Sequence, residues 1–302
     1  MKGNYQDYMK LGIVHFMAYP KAMAGTDDMS ESIHRIMADP DFGCIELTRM
    51  ATPEMRKQAR SWAAQSGTTV FYGAQPQLMR NKENLNSLDE EVRQSAVRRM
   101  KACIDEAEEM GAAGIAFLAW HYDPSRIEEH YQALVKSTCE IMEYAKEHGN
   151  MPVNLEVFDK DVEKCSLIGP APLAKRFAEE INAKYDQFGL MVDLSHIMQL
   201  GESFEENLEP IRPYIRHAHL ATAVLMPEAP AYGDQHPGFY FDNVVVTEDI
   251  MADFLRMLFK VGYLGEGKCP PVSFEIKPWG DEDSEMLIAG SKRFLSRAWE
   301  LV

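Results

Sequence analysis

The sequence predicts a closed (β/α)8 TIM barrel that takes up residues 1–302 as a single domain. Short runs of β-type apolar residues alternate with longer amphipathic segments from end to end, which is the order of a parallel sheet with helical crossovers. Eight such units of roughly 38 residues each match the length of a closed barrel. No glycine-rich dinucleotide or phosphate fingerprint follows the first run, so an open doubly wound sheet is the weaker alternative.

The eight predicted strands are short, apolar and rich in Val, Ile, Leu or Phe, which is typical of strands buried on both faces. Parallel neighbours need a crossover of about a dozen residues or more, and the segments between these runs are long enough for helices. In chain order, the predicted strands cover residues 11–16, 43–48, 68–73, 113–119, 151–157, 189–194, 215–220 and 271–276.

Three of the intervening segments carry clear signals for the start of a helix. Ser87 and Glu90 have the spacing of a capping box before a long amphipathic stretch. Thr52 is a predicted cap that precedes Pro53, and proline is preferred in the first turn of a helix. Thr247 is the predicted cap of a later helix. We therefore expect helices between the strands.

The longest irregular connection covers residues 221–246, directly after the seventh predicted strand. A loop of this length in a compact barrel is more often functional than passive, so we predict that it forms an active-site lid. Neither a domain boundary nor a low-complexity linker interrupts the sequence elsewhere.

Composition and charge narrow the classes of partner. Hydrophobic residues make up 46% of the chain and charged residues 26%, as in an ordinary globular enzyme. The formal net charge of −16 opposes binding to a nucleic-acid backbone or an anionic membrane. The sequence lacks a signal-peptide pattern and any apolar run of the roughly 20 residues that span a membrane, so we predict a cytoplasmic protein. The five cysteines form no CxxC pair, which argues against a disulfide framework or a thiolate zinc site.

Acidic residues stand in otherwise apolar strands, near the ends that form the active-site face of such a barrel. Glu156 lies in strand five, Asp193 in strand six and Glu275 in strand eight, and His219 lies near the end of strand seven. An ionised carboxylate on a buried strand is costly unless it is paired or bound to a cation. Each residue alone fits a salt bridge or a hydrogen-bonded core position, whereas the set of four favours a shared divalent metal. Oxygen and nitrogen ligands without a thiolate suit Mn2+, Mg2+, Co2+ or Zn2+.

Two histidines lie two residues apart in the seventh predicted strand, His217 and His219. Because side chains alternate along a strand, both histidines point to the same face. His219 is nearer the active-site end and is the better candidate ligand. His217 is then expected one layer deeper, in a packing or supporting role.

The order of motifs along the chain resembles the xylose isomerase-like barrel superfamily, which includes ketose 3-epimerases, sugar isomerases, inosose dehydratases and the endonuclease IV type of DNA repair enzyme. The motifs are "GCIELT" on strand two, "LEVFD" on strand five, "MVDLSH" on strand six, "RHAHL" on strand seven and "SFEIKPWG" on strand eight. The resemblance implies that one divalent metal ion, with Mn2+ favoured, is held by Glu156, Asp193, His219 and Glu275. It implies that the two glutamates move protons beside a carbonyl while the metal stabilises the enediolate.

The resemblance also implies a role for His196, which follows Asp193 by three residues and would contact a substrate hydroxyl or a second metal. The chain departs from many sugar epimerases after strand seven, where Thr222 stands at a position that is often acidic. Asp234 and His236 appear instead in "YGDQHPGF", a pattern similar to the three-metal DNA repair branch. Strand three lacks the histidine that this branch requires, and the acidic net charge also disfavours a DNA substrate.

A narrower resemblance is to the larger subunit of bacterial C-glycoside deglycosidases, through "GIVHFMAYP", "LEVFDKD", "MVDLSH" and "AYGDQHPGF". It implies an elimination that opens the C-glycosidic bond of a 3-oxo-glycoside, a small β-rich partner subunit and an oligomeric assembly. This lyase is the first functional hypothesis, and a sugar isomerase or ketose 3-epimerase is the alternative. An endonuclease IV-type enzyme and a metal-free sugar-binding barrel rank below both.

The elimination needs further groups to protonate the leaving group and to contact the substrate. His121 and His236 are the candidates for catalysis beside Glu156 and Glu275. Several aromatic side chains are candidate walls for an aglycone, although aromatic residues in a long loop also serve to pack it onto the barrel. The predicted walls are Trp120, Tyr232, Phe239 and Tyr240. The predicted substrate contacts are His196, Asp234, Lys277, Trp120 and Glu46.

Overall fold

A computed structural model describes residues 3–302 and confirms the predicted barrel. Eight parallel strands form one sheet in the order β1-β8-β7-β6-β5-β4-β3-β2. The sheet closes where the backbone N–H of Gly43 donates to the carbonyl of Leu11 at 2.8 Å and where Val14 bridges Glu46. The strands are β1 (Lys10–Ile13), β2 (Cys44–Leu47), β3 (Thr69–Gly73), β4 (Ile115–Leu118), β5 (Val153–Glu156), β6 (Phe188–Asp193), β7 (Ile215–Leu220) and β8 (Pro271–Phe274).

Helices surround the barrel and bury their apolar faces against it. No helix within residues 3–302 is long and apolar enough to cross a membrane. The α-helices are α1 (His15–Ala18), α2 (Ser30–Ala38), α3 (Pro53–Ser66), α4 (Gln75–Arg80), α5 (Glu90–Met110), α6 (Ile127–Glu147), α7 (Ala171–Asn182), α8 (Leu194–Leu200), α9 (Phe204–Ile211), α10 (Glu248–Lys260) and α11 (Ser284–Glu300). Short 3-10 helices cover Tyr5–Asp7, Pro20–Ala24, Pro124–Arg126 and Arg212–Tyr214.

Two of the predicted helix starts are confirmed. The side chain of Thr52 accepts a hydrogen bond from the backbone N–H of Met55 at the start of α3, and Pro53 is its first residue. Thr247 likewise accepts from the backbone N–H of Ile250 at the start of α10. Each cap satisfies an N–H that has no partner inside the helix.

The predicted capping box at Ser87 and Glu90 is wrong. Asp89 is the cap of α5, because its carboxylate accepts from the backbone N–H groups of Glu91 and Val92. Ser87 accepts from the backbone N–H of Asp89 and lies two residues before the cap. A nearby carboxylate, which also interacts favourably with the positive end of the helix, replaces the more distant hydroxyl.

We expect Asp89→Ala to lower the free energy of unfolding by about 1 kcal/mol, because the first turn of α5 loses its cap. Ser87→Ala is the matched control and should cost less than half as much. Urea denaturation of the two variants and the wild type measures both values. An equal loss in the two variants would contradict the assignment of Asp89 as the cap.

The loop at residues 221–246 is packed rather than extended into solvent. Val224 forms backbone bridges to Tyr232 and to Val244, which fold the loop back on itself. Val224 is fully buried, and Phe239 stacks on Phe294 of α11 with ring centroids 4.7 Å apart. The loop therefore lies against the barrel at the active-site end, while its opening as a lid stays a prediction.

Candidate metal centre and substrate cavity

The four predicted metal ligands meet at the C-terminal end of the barrel. Glu156 and Asp193 are the last residues of β5 and β6, His219 lies near the end of β7, and Glu275 directly follows β8. His219 Nδ1 lies 2.8 Å from Glu275 Oε2, 3.3 Å from Glu156 Oε1 and 3.7 Å from Asp193 Oδ2. All four side chains are buried. The closed barrel thus brings together residues that are more than a hundred positions apart in sequence.

The atoms that face one another in this cluster have no hydrogen-bond partner among the described residues. They are Glu156 Oε1, Asp193 Oδ2, His219 Nδ1 and Glu275 Oε2. A buried polar atom without a partner costs about 1–3 kcal/mol, and three adjacent carboxylates add mutual repulsion. A divalent cation would satisfy all four atoms at once, and their oxygen and nitrogen chemistry fits such an ion.

The remaining polar atoms of three ligands are held by neighbouring side chains. Asp193 caps α8, and its Oδ1 accepts from the backbone N–H of Ser195 at 2.6 Å. Glu156 Oε2 accepts from Gln75 Nε2 at 2.7 Å. His219 Nε2 lies 3.0 Å from Glu46 Oε1. Each of these three candidate ligands is therefore oriented by a hydrogen bond to one of its polar atoms, and its second polar atom faces the centre of the cluster. Supporting residues orient metal ligands in the same way.

Glu46 and His217 form the layer beneath the centre. Glu46 Oε1 lies 2.8 Å from His217 Nε2, and the rings of His217 and His219 are 5.3 Å apart. Burial raises the pKa of Glu46, but the two facing histidines lower it well below its usual value. Burial alone would lower the pKa of His219, whereas the charges of Glu46 and Glu275 raise it well above its usual value. A divalent cation would replace the proton on His219 Nδ1.

A second cluster surrounds Asp234, which was a predicted substrate contact. Its Oδ1 lies 2.9 Å from His196 Nε2 and 3.0 Å from His236 Nε2, and it also accepts from Gln199 Nε2 at 3.1 Å. Its Oδ2 lies 2.7 Å from Lys164 Nζ. Burial raises the pKa of Asp234, but His236, Lys164 and His196 lower it well below its usual value. Asp234 is thus an ionised carboxylate that contacts four cationic or proton-donating side chains, those of His196, His236, Gln199 and Lys164.

The two histidines of this second cluster, His196 and His236, contact polar partners through their ring nitrogens. His196 Nδ1 lies 3.0 Å from the carbonyl of Val157, so both ring nitrogens are engaged, and His196 does not line the cavity. His236 lines the cavity, with Nε2 3.8 Å from Glu275 Oε1. Burial lowers the pKa of both rings, but Asp193 and Asp234 raise the pKa of His196 to about 10. Asp234 and Glu275 raise the pKa of His236 to about 9.

A cavity of about 220 Å³ is bordered by three of the four candidate metal ligands, Glu156, His219 and Glu275. Of the predicted substrate contacts, Glu46, Asp234 and Lys277 line it. Lys277 Nζ donates to Gln235 Oε1 at 3.1 Å and forms no ion pair within residues 3–302. The apolar part of the wall consists of Val14, Phe16, Met17, Met23, Pro76, Met79 and Phe158.

The structure does not bring every predicted residue to this cavity. Trp120 and His121 lie outside its lining, and their backbone carbonyls accept hydrogen bonds from Asn86. The aromatic residues of the loop do not line the cavity either. Tyr232 and Tyr240 are exposed, and Phe239 and Tyr240 contact Phe294 of α11. Residues of α1 and α4 provide four of the seven apolar residues of the wall, Phe16, Met17, Pro76 and Met79.

Five polar residues that line the cavity were not predicted from the sequence: Gln75, Arg80, Glu163, Lys164 and Gln235. Gln75 opens α4, and Glu163 and Lys164 lie in the irregular connection after β5. Helix α4 is too short to give a periodic signal, and the contact of Gln75 with Glu156 spans 81 positions. The available signal was the motif "LEVFDKDVEKC", whose charged residues directly follow a predicted ligand on strand five.

Comparisons with known proteins agree on the fold. A family model described as xylose isomerase-like TIM barrel matches residues 35–294. A search of curated protein sequences gives no match. A solved D-tagatose 3-epimerase-like protein is similar with a TM-score of 0.74 and 17% identity, covering 97% of this chain and 98% of that one. An L-ribulose 3-epimerase is similar with a TM-score of 0.72 and 17% identity, covering 97% of this chain and 95% of that one. The Escherichia coli 3-keto-D-glucoside 4-epimerase has a TM-score of 0.68 and 15% identity, covering 95% of this chain and 99% of that one.

Proposed function

The chain belongs to the xylose isomerase-like TIM barrel family, and on this premise we propose that it is a divalent-metal-dependent isomerase or epimerase of a keto sugar. The observation that carries the proposal is the convergence of four buried ligand atoms without partners, from Glu156, Asp193, His219 and Glu275. The three solved structures reported above are named as sugar epimerases or as epimerase-like, which supports the class of substrate.

The proposed reaction requires two proton transfers, and two glutamates that border the cavity can perform them. A divalent cation at the centre would polarise a carbonyl and stabilise the negative charge that develops when the neighbouring carbon loses a proton. Glu156 and Glu275 come from separate strands, and we assign one to remove that proton and the other to return a proton. Return to the same carbon from the opposite face gives an epimer, and return to the former carbonyl carbon gives an isomer.

Metal analysis of purified protein tests the ligand set. We expect about one divalent ion per wild-type chain and a loss of most of it in Glu156→Gln and in Asp193→Asn, because each variant replaces a charged ligand by a neutral amide. Glu163→Gln is the matched control, since Glu163 lines the same cavity but accepts from the backbone N–H of Asp234 instead of facing His219. Unchanged metal content in both ligand variants would overturn the assignment.

Product analysis tests the reaction. Incubation of the metal-loaded protein with D-tagatose, D-psicose, D-fructose and L-ribulose is expected to convert at least one of them into an epimer or isomer, detected by chromatography and by exchange of the carbon-bound proton in D2O. Absence of both conversion and exchange with all four ketoses would contradict the epimerase and isomerase assignment.

A second candidate is the elimination of an aglycone from a 3-oxo-C-glycoside, which shares the first proton transfer. The apolar wall of Phe16, Met17 and Met79 favours it, because an aglycone needs apolar contact that a free sugar does not. Release of aglycone from a 3-oxo-C-glycoside would establish it. A small β-rich partner that co-purifies with the chain would agree with this reading, and the oligomeric state and cytoplasmic location stay predictions.

A further inference from the structure

Gln75 has an unusual position beside the metal ligands. It is the first residue of α4, directly beyond β3, and only 6% of its surface is exposed. Its Nε2 donates to Glu156 Oε2 at 2.7 Å, and its side chain lines the cavity. Its Oε1 is buried and has no hydrogen-bond partner in the described chain.

The orientation of this amide follows from its neighbour. If the amide were flipped, Oε1 would face the carboxylate of Glu156 and the two oxygens would repel each other. The hydrogen bond to Glu156 therefore fixes Nε2 on the carboxylate and turns Oε1 away from it. A side chain that lines the cavity thus holds a buried hydrogen-bond acceptor without a partner, which is destabilising.

The position of Gln75 Oε1 depends on a glycine. A Cβ atom added to Gly73 would lie 3.0 Å from Gln75 Oε1 and 2.6 Å from Cζ of Phe16, another residue of the cavity wall. Any side chain at position 73 would crowd both groups. Gly73 at the end of β3 thus allows Phe16 and Gln75 to pack closely against its backbone.

From this geometry we propose that Gln75 determines substrate specificity by accepting a hydrogen bond from one hydroxyl of the bound sugar. The inference rests on the proposed function, because it requires a sugar in this cavity. The Nε2 of the same amide orients Glu156, a proposed base. Gln75 would therefore both recognise the hydroxyl and position this base. A site that accepts a hydrogen bond from a hydroxyl discriminates strongly against an analogue that lacks it.

The test combines a side-chain variant with deoxy substrates. The probe is whichever of D-tagatose, D-psicose, D-fructose and L-ribulose the wild type converts fastest, together with its monodeoxy analogues. We expect one analogue to lose about 10- to 100-fold in kcat/KM with the wild type. With Gln75→Met, that penalty should shrink to within about 3-fold. A decrease in kcat/KM that Gln75→Met causes with every substrate reports the misplacement of Glu156. A decrease in kcat/KM that the wild type shows with only one deoxy analogue reports recognition of the missing hydroxyl.

Gln77→Met is the matched control, because Gln77 lies on the same helix and is buried with an unpartnered Nε2. Gln77 lines a separate pocket with Tyr72 and Arg99 and should leave the deoxy penalty unchanged. A penalty that is equal in the wild type and in Gln75→Met would overturn the inference while the proposed function stands. If the wild type neither binds nor converts any of the four ketoses, the proposed function fails and the inference fails with it.

Discussion

Replacement of Glu275 by glutamine is expected to lower kcat/KM at least about 10³-fold, because the residue is both a proposed metal ligand and a proposed base. In the metal-free protein the same change should alter the free energy of unfolding by no more than about 1 kcal/mol, because loss of the ion pair with His219 opposes the relief of repulsion. In the wild type, Glu275 Oε2 lies 2.8 Å from His219 Nδ1, which also faces the carboxylates of Glu156 and Asp193. Removal of one charge from three adjacent carboxylates relieves repulsion, and an amide N–H can donate to an oxygen that now lacks a partner.

Thermal unfolding with and without metal separates these two effects. Excess Mn2+ should raise the Tm of the wild type strongly, because a ligand that binds only the folded state stabilises it by mass action. Glu275→Gln should show a smaller rise from a metal-free Tm close to that of the wild type. Equal destabilisation of the chelated and the metal-loaded forms by this variant would mean that Glu275 serves only the packing of the barrel.

The barrel was predictable because each strand is a local apolar run. All eight predicted segments overlap an observed strand, and the ends differ by at most three residues. A strand of a parallel sheet is buried on both faces, so it appears in the sequence as a continuous apolar run. This run can be recognised without knowing which strands pair with it. The capping of α5 was misjudged because Ser87 and Asp89 both fit the pattern, and only the path of the backbone decides between them.

The site residues at the ends of strands could be predicted from the sequence, whereas the site residues in loops could not. Glu156, Asp193, His219 and Glu275 converge because a closed barrel places every strand end at one face. The position of His121 depends on a connection whose course the sequence does not encode in a periodic pattern. For the same reason, the aromatic rings of residues 221–246 were assigned to a cavity that they do not line.

Lys164→Met is expected to destabilise the protein by about 3–5 kcal/mol, because it leaves buried Asp234 without its closest cation. The side chain of Lys164 is 16% exposed and lies 3.5 Å from Glu163 Oε1 as well. Burial lowers the pKa of Lys164, but Asp234 and Glu163 raise it above its usual value. A raised pKa means that this stabilisation is complete at neutral pH, below the usual pKa of a lysine, and is lost only as the pH rises above it.

The loop provides a second measurement, since Asp234 ties residues 221–246 to the connection after β5 and to His196 on α8. Loss of Lys164 should therefore speed limited proteolysis within this loop before it affects the rest of the barrel. Lys277→Met is the matched control, because Lys277 lines the same cavity, has only an amide partner and should cost less than about 1 kcal/mol. If urea denaturation gave equal losses for the two variants, the loop would owe its position to the packing of Phe239 on Phe294 rather than to the ion pairs of Asp234.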